Sequence, residues 1–195
     1  QLFYAPVFDA QKIVVPVPRI KNDVLHMEAA ASTSVDYTNA KNWFPHYSPD
    51  KNNKPKANVM YYTISIPKAN LKNALVSAVD NDLTLHMVNF AGTAVPPDNG
   101  TAVVFGHSTL PQLFDATNYK TILSNVHRVN VGDDIIVTIG TTQYTYKVFS
   151  VTVVDPDDTS VFIQNHDTSH LTLITCTPPG TILYRLVIKS RLQKI

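Results

Sequence analysis

The chain has 195 residues, enough for one sizeable buried core, with sixteen basic and fifteen acidic residues and a single cysteine. Near-zero net charge, with no Lys/Arg run longer than two, argues against a nucleic-acid or anionic-membrane surface. One cysteine excludes an internal disulfide, and no apolar run approaches the roughly 18–20 residues of a membrane span. No basic-then-apolar leader opens at Gln1. A chain that opens on Gln is expected to have been trimmed, with any N-terminal anchor outside it.

Taken in order, residues 1–58 read as an N-terminal appendage, extended and partly helical. Gln1 to Ile20 alternates apolar residues with Pro6, Pro16 and Pro18, which predicts an extended segment. Ser34 to Tyr37 opens a short predicted helix that runs to Trp43 and stops at Phe44-Pro45. His46 to Ala57 is polar and proline-containing, the composition of a loop. From residue 59 to 195 the chain changes character. Val59 to Ile66, Ala74 to Val79, Leu83 to Val88, Thr101 to Phe105, Asp134 to Ile139 and Gln143 to Val154 are dense in β-branched and aromatic residues. A hairpin, 171–175 and 182–190, completes the set. Gly/Pro/Asp turns separate these runs, so the fold class is mainly β, a barrel or sandwich. Asn118 to Val126 has apolar residues at helical spacing and predicts one short helix.

Two places carry chemistry. Cys176 ends an apolar run at a Pro-Pro-Gly turn, and Arg185 stands early on the next strand of the same hairpin. A thiol mid-strand is usually an inert small hydrophobe. A thiol at a strand end beside a cation is expected to be exposed and in a positive field, the setting of a reactive thiolate. His107 lies where the buried run Thr101 to Phe105 meets a loop through Gly106. The other histidines read as structural or surface residues. His166 and His170 are spaced for a metal, but no further Cys/His set completes a site, and Asp155, Asp157 and Asp158 read as a solvated turn. No metal and no cofactor are expected.

The segments VVFGHS (103–108), VGDDIIV (131–137), YTYKV (144–148), LTLITCTP (171–178) and RLVIKSRL (185–192), with ISIPK at 64–68, resemble the sortases, cysteine transpeptidases of the bacterial cell surface. The resemblance covers roughly residues 59–192; the cysteine motif with its downstream arginine is the specific part. It implies a closed β-barrel of about eight strands with Cys176 as nucleophile, His107 as general acid/base and Arg185 as the cation at the oxyanion. Thr175 takes a supporting role in substrate or oxyanion contact. It also implies the reaction: a thiolate cleaves an LPxTG-like sorting signal, forms a thioacyl enzyme, and passes the acyl group to an amine. The partners implied are the sorting-signal peptide of surface proteins and an amine acceptor, either a peptidoglycan precursor or a pilin lysine. The implied location is the outer face of the cell membrane.

Three features depart from the family pattern. Ser108 stands where many relatives carry arginine. The Cys-to-Arg connection is short, and the N-terminal part has no Asp-Pro-aromatic lid. Residues 1–58 are left as either a lid over the active face or a stalk. Two rival functions stand beside the transpeptidase: a cysteine peptidase with water as acceptor, and an inactive peptide-binding barrel.

Overall fold

The computed structural model describes residues 35–49 and 59–193. The predicted extended segment Gln1–Ile20 and most of the predicted loop at 46–57 lie outside the described residues. Each β-rich run forms a strand: β1 (Tyr61–Ile66), β2 (Leu71–Ser77), β3 (Met87–Asn89), β4 (Gly100–Phe105), β5 (Asp134–Ile139), β6 (Thr142–Val154), β7 (Ser169–Thr177) and β8 (Tyr184–Leu192). They close into a barrel in the order β1-β2-β3-β4-β7-β8-β6-β5, with β5 pairing back onto β1.

Two expected elements take another form. Of the run Leu83 to Val88 only its end joins β3; Leu83 is buried, but Thr84 and Leu85 lie in a turn closed by the Asp82 carboxylate. The helix expected at 118–126 is a succession of tight turns, Thr121 N–H to Asn118 C=O, Ser124 N–H to Thr121 C=O and Val126 N–H to Leu123 C=O, ending in a 3₁₀ turn at Val126–Arg128. Its apolar residues Ile122, Leu123 and Val126 are nevertheless buried. Packing against the barrel mouth dictates the inward face, while the Asn118 side chain, accepting from Lys120 N–H, favours a turn over a regular helix.

The pairing of β4 with β7 is what builds the functional edge. These two strands are parallel, with Phe105 opposite Ile174 at the last rung. Parallel strands end at the same edge, so the loop after β4 and the end of β7 arrive together. β8 runs antiparallel to β7 and therefore begins where β7 ends, with Cys176 directly opposite Arg185.

Alternation along each strand separates two cores. Leu171, Leu173, Ile188 and Val104 point into the barrel with Ile64, Leu123, Ile135 and Val137. Ile174, Cys176, Val187 and Phe105 point outward, where an aromatic layer of Trp43, Phe44, Phe90 and Phe162 buries them. Phe44 and Phe162 meet edge-on at 5.1 Å, and Trp43 meets Phe105 edge-on at 5.3 Å, geometries that add to the area buried.

Residues 35–49 supply half of that outer layer. The predicted helix to Trp43 is here one 3₁₀ turn, Ala40–Trp43, capped by the Asn39 carboxamide accepting from Lys41 N–H. Asn39 pairs antiparallel with Asp82; Ala40 N–H donates to Asn81 C=O, and Leu83 N–H to Thr38 C=O. Ala40, Trp43 and Phe44 are fully buried. The segment is thus clipped to the 80–84 loop and lies across the outer face of β4, β7 and β8.

Candidate functional site

Cys176 is the penultimate residue of β7, and its thiol is 7% exposed. The exposed thiol expected from the sequence is therefore a covered one: the strand end is open, but Trp43 and Phe44 lie over it. Burial pushes its pKa up, and the charge of Arg185 opposes that only in part. Burial thus favours the thiol over the thiolate.

His107 follows Gly106 at the end of β4. A side chain at Gly106 would place its Cβ 2.7 Å from Leu123 Cδ1 and 3.2 Å from Met87 Cγ, so only glycine lets the chain pass close enough to the core to turn there. The His107 ring packs on the Trp43 indole, centroids 5.4 Å apart. Desolvation lowers its pKa, Lys120 lowers it further, and Asp36 opposes both. Both shifts favour the uncharged form of the group concerned.

Two hydroxyls carry the β4–β7 register past the last ladder rung. Gly106 N–H donates to Ile174 C=O at 3.2 Å. Thr175 Oγ1–H then donates to Gly106 C=O at 2.7 Å, and Ser108 Oγ–H to Cys176 C=O at 2.8 Å. These bonds flank His107 on both sides and tie it to the strand that carries Cys176. Ser108, noted in the sequence only as a departure, is one of the pair; its role depends on a carbonyl 68 residues away.

Arg185 is 1% exposed and has no carboxylate partner among the described residues. One terminal nitrogen donates to Ile182 C=O at 2.9 Å and Tyr184 C=O at 3.2 Å; the other donates to Trp43 C=O at 2.9 Å. Its Nε is buried without a partner. The guanidinium lies near the rings of Trp43 (5.5 Å), Phe44 (5.9 Å) and Tyr37 (6.0 Å), contacts that recover part of the cost of burying the charge. A buried cation with a spare donor, bound to a main-chain carbonyl of a surface segment, can hold a carbonyl or oxyanion of another chain.

The structure thus brings His107, Cys176 and Arg185 to one barrel edge, and sets Thr175 beneath them. His166 and His170 belong elsewhere: His166 Nδ1 lies 3.4 Å from Asn99 C=O, and His170 lies 3.5 Å from Asp167. Among the described residues no group of three or more metal-ligating side chains forms, and Asp158 caps the 3₁₀ turn Thr159–Phe162. Trp43, which sequence reading treats as a packing aromatic, does pack, and it packs against His107, Arg185 and Cys176. Tryptophan followed by Phe-Pro has no periodicity that would have signalled this.

A closed eight-stranded barrel with a thiol, an imidazole and a guanidinium at the joint ends of β4, β7 and β8 defines a sortase-type protein. The sortase domain model matches residues 64–193, and the chain belongs to that family. It is 26% identical over 126 residues to Sortase D of Bacillus subtilis (strain 168), covering 64% of this chain and 58% of that protein, so it spans less than two thirds of that relative's length. Among solved structures it resembles a Clostridium perfringens Sortase D5 transpeptidase, with 27% identity, coverage of 69% of this chain and 79% of that one, and a TM-score of 0.57. It also resembles Sortase A of Corynebacterium diphtheriae, with 26% identity, coverage of 70% and 61%, and a TM-score of 0.59. Among the described residues no helix is long and apolar enough to cross a membrane.

Proposed function

We propose that this protein is a cysteine transpeptidase that cleaves an LPxTG-like sorting signal through a thioacyl enzyme on Cys176 and transfers the acyl group to an amine. The observation that carries this reading is the meeting of His107, Cys176 and Arg185 at one strand edge. In acylation the Cys176 sulfur attacks the scissile carbonyl, and its proton passes through His107 to the departing amine. Arg185 holds the oxyanion, the role its unpartnered Nε and its Trp43-bound terminus can fill. Thr175 and Ser108 support the step by holding His107 against the nucleophile's strand.

The segment 35–49 acts as a lid in this scheme. Trp43 C=O sits on Arg185 as a substrate carbonyl would, and the indole covers His107. Substrate binding therefore requires this segment to lift. Further along the same sheet face lies a cavity of about 390 Å³ lined by Thr172, Lys189, His170, Phe149, Val161 and Ile163. Thr172 is four residues before Cys176 on the same face of β7, about 13 Å along the strand. An extended peptide reacting at Cys176 would reach the cavity with a side chain about four residues upstream of the cut. Its apolar part, formed by Phe149, Val161 and Ile163, suits the leucine of an LPxTG-like signal.

The acceptor is an amine of the cell surface, a peptidoglycan precursor or a pilin lysine, and the protein works on the outer face of the cell membrane, where sortases generally act. Peptide turnover with and without triglycine tests the reading. Amine-dependent product supports it; cleavage indifferent to amine would make the protein a peptidase instead.

A further inference from the structure

We infer that the sorting signal taken by this protein carries an aspartate or glutamate in the two residues before its leucine, held by Lys189 and Arg191. The inference rests on the reading proposed above and deepens it. Register and alternation put Cys176, Ile174, Thr172 and His170 of β7 on one face, opposite Arg185, Val187, Lys189 and Arg191 of β8 in turn. Ile174, Cys176 and Val187 lie under the aromatic layer. Thr172 and Lys189 line the cavity of about 390 Å³ beyond it. One face thus runs from the nucleophile, over an apolar stretch, to a basic end.

The cavity has a polar part beside the apolar one, supplied by Lys189, His170, Asn165 and Ser160. Lys189 is half-buried and Arg191 exposed, and neither forms an ion pair among the described residues. By contrast Lys147, opposite Arg191 on β6, is paired with Asp134. His170 Nδ1 is buried without a hydrogen-bond partner, and the Asp167 carboxylate stands 3.5 Å away. The acid in the field of Lys189 is Asp158, whose carboxylate accepts from Ser160 N–H and caps the turn Thr159–Phe162. A half-buried cation on a cavity wall, with no counter-charge of its own, suits an anion brought from outside.

Distance along the strand selects the part of the peptide that supplies this anion. At roughly 3.3 Å per residue, the Thr172–Lys189 rung lies about 13 Å from Cys176 and the His170–Arg191 rung about 20 Å. An extended peptide acylated at its threonine brings its leucine to the first rung. The two residues before that leucine then pass Lys189 and reach Arg191. A carboxylate there meets two cations, and a lysine there is repelled by both. The cations and the apolar part share one cavity face, which favours a side chain of the peptide itself over a separate anion.

The test uses three peptides that share Leu-Pro-Ala-Thr-Gly-Gly and differ only in the pair before it: Asp-Asp, Asn-Asn or Lys-Lys. Each is offered to the full-length protein, and kcat/KM for peptide consumption is read by mass spectrometry. Wild type is expected to prefer Asp-Asp over Asn-Asn by about three- to tenfold, and over Lys-Lys by more. Added NaCl should shrink the preference. Lys189→Glu combined with Arg191→Glu is expected to invert the order. Each protein serves as its own reference, so a general loss of activity does not mimic inversion. If the double variant fails to fold, Arg191→Glu alone, at an exposed position, is expected to erase most of the preference. Equal kcat/KM for the three peptides in wild type, or a preference that survives charge reversal, would overturn the acidic subsite and leave the transpeptidase reading standing. A wild type that consumes none of the three would overturn it together with the thiol chemistry on which it rests.

Discussion

Arg185 is the residue on which the local electrostatics turn. It is fully buried, unpaired with any carboxylate among the described residues, and opposite Cys176 across β7 and β8. Lysine in its place would keep the charge but not the fork that reaches the carbonyls of Ile182 and Tyr184 on one side and Trp43 on the other. Arg185→Lys is expected to lower kcat/KM for peptide on the order of 10²–10³-fold, checked by steady-state kinetics beside a melting curve that shows the fold intact. His107 carries a pH signature. Its pKa is held below the ordinary 6.5 by burial first and by Lys120 second. The folded protein therefore favours the neutral ring, and its contribution to stability is complete above the unfolded pKa and lost as pH falls through the folded one. Unfolding in urea between pH 7 and pH 5 should show stability falling with acid, and His107→Gln should flatten that fall. Cys176 has the opposite sign. Its raised pKa means that the contribution is complete below the unfolded value and is lost as pH rises through the folded one.

At the scale of elements, the covering segment 35–49 and the β4–β7 pair set what the residues can do. Segment 35–49 is fastened at Asn39 and Asp82, which are antiparallel partners. Such pairs have Cα atoms about 4.5–5.5 Å apart, within reach of a disulfide. Asn39→Cys with Asp82→Cys, oxidised, is expected to abolish alkylation of Cys176 by iodoacetamide and peptide turnover alike, and dithiothreitol is expected to restore both. Turnover undiminished in the oxidised protein would show that the segment need not move. At the other element, Thr175→Val removes the bond from Oγ1 to Gly106 C=O and leaves that carbonyl unpaired. It should cost about 1–3 kcal/mol of stability and lower kcat more than it changes KM, because His107 loses its tether. The strands were legible in the sequence because β-branched runs alternate against a core and are cut by Gly/Pro/Asp turns. The placement of Cys176, His107 and Arg185 at strand ends was legible because each stands where such a run meets a turn. The lid was not. Trp43 reaches its site through a main-chain carbonyl contact to a residue 142 positions away, which no local pattern encodes. The same limit explains the burial of Cys176: the strand end was read as open because its cover comes from a distant segment. The helix expected at 118–126 failed for a nearer reason, since Asn118 bonds its own backbone and favours turns.

For the whole molecule, the closed barrel is the frame that carries the edge where His107, Cys176 and Arg185 meet. Parallel pairing of β4 with β7 and antiparallel return of β8 fix that edge whatever the loops do. Residues 35–49 and the cavity at Thr172 and Lys189 share the outer face, so a peptide bound as proposed would compete with that segment. Filling the larger cavity with Thr172→Phe should raise KM for an LPxTG-like peptide and leave the slow acylation by a small activated ester unchanged, since the ester does not reach that far. The central claim is transfer through a thioacyl bond on Cys176. It is tested most directly by mass spectrometry of the products from a panel of LPxTG-like peptides, with and without triglycine, for wild type and Cys176→Ala. The account predicts a ligated product that appears only with triglycine, a peptide adduct on Cys176 when the amine is withheld, and neither in the variant. Product formation that persists in Cys176→Ala, or a wild type that cleaves the peptide at the same rate and to the same hydrolysed product whether or not triglycine is present, would contradict it.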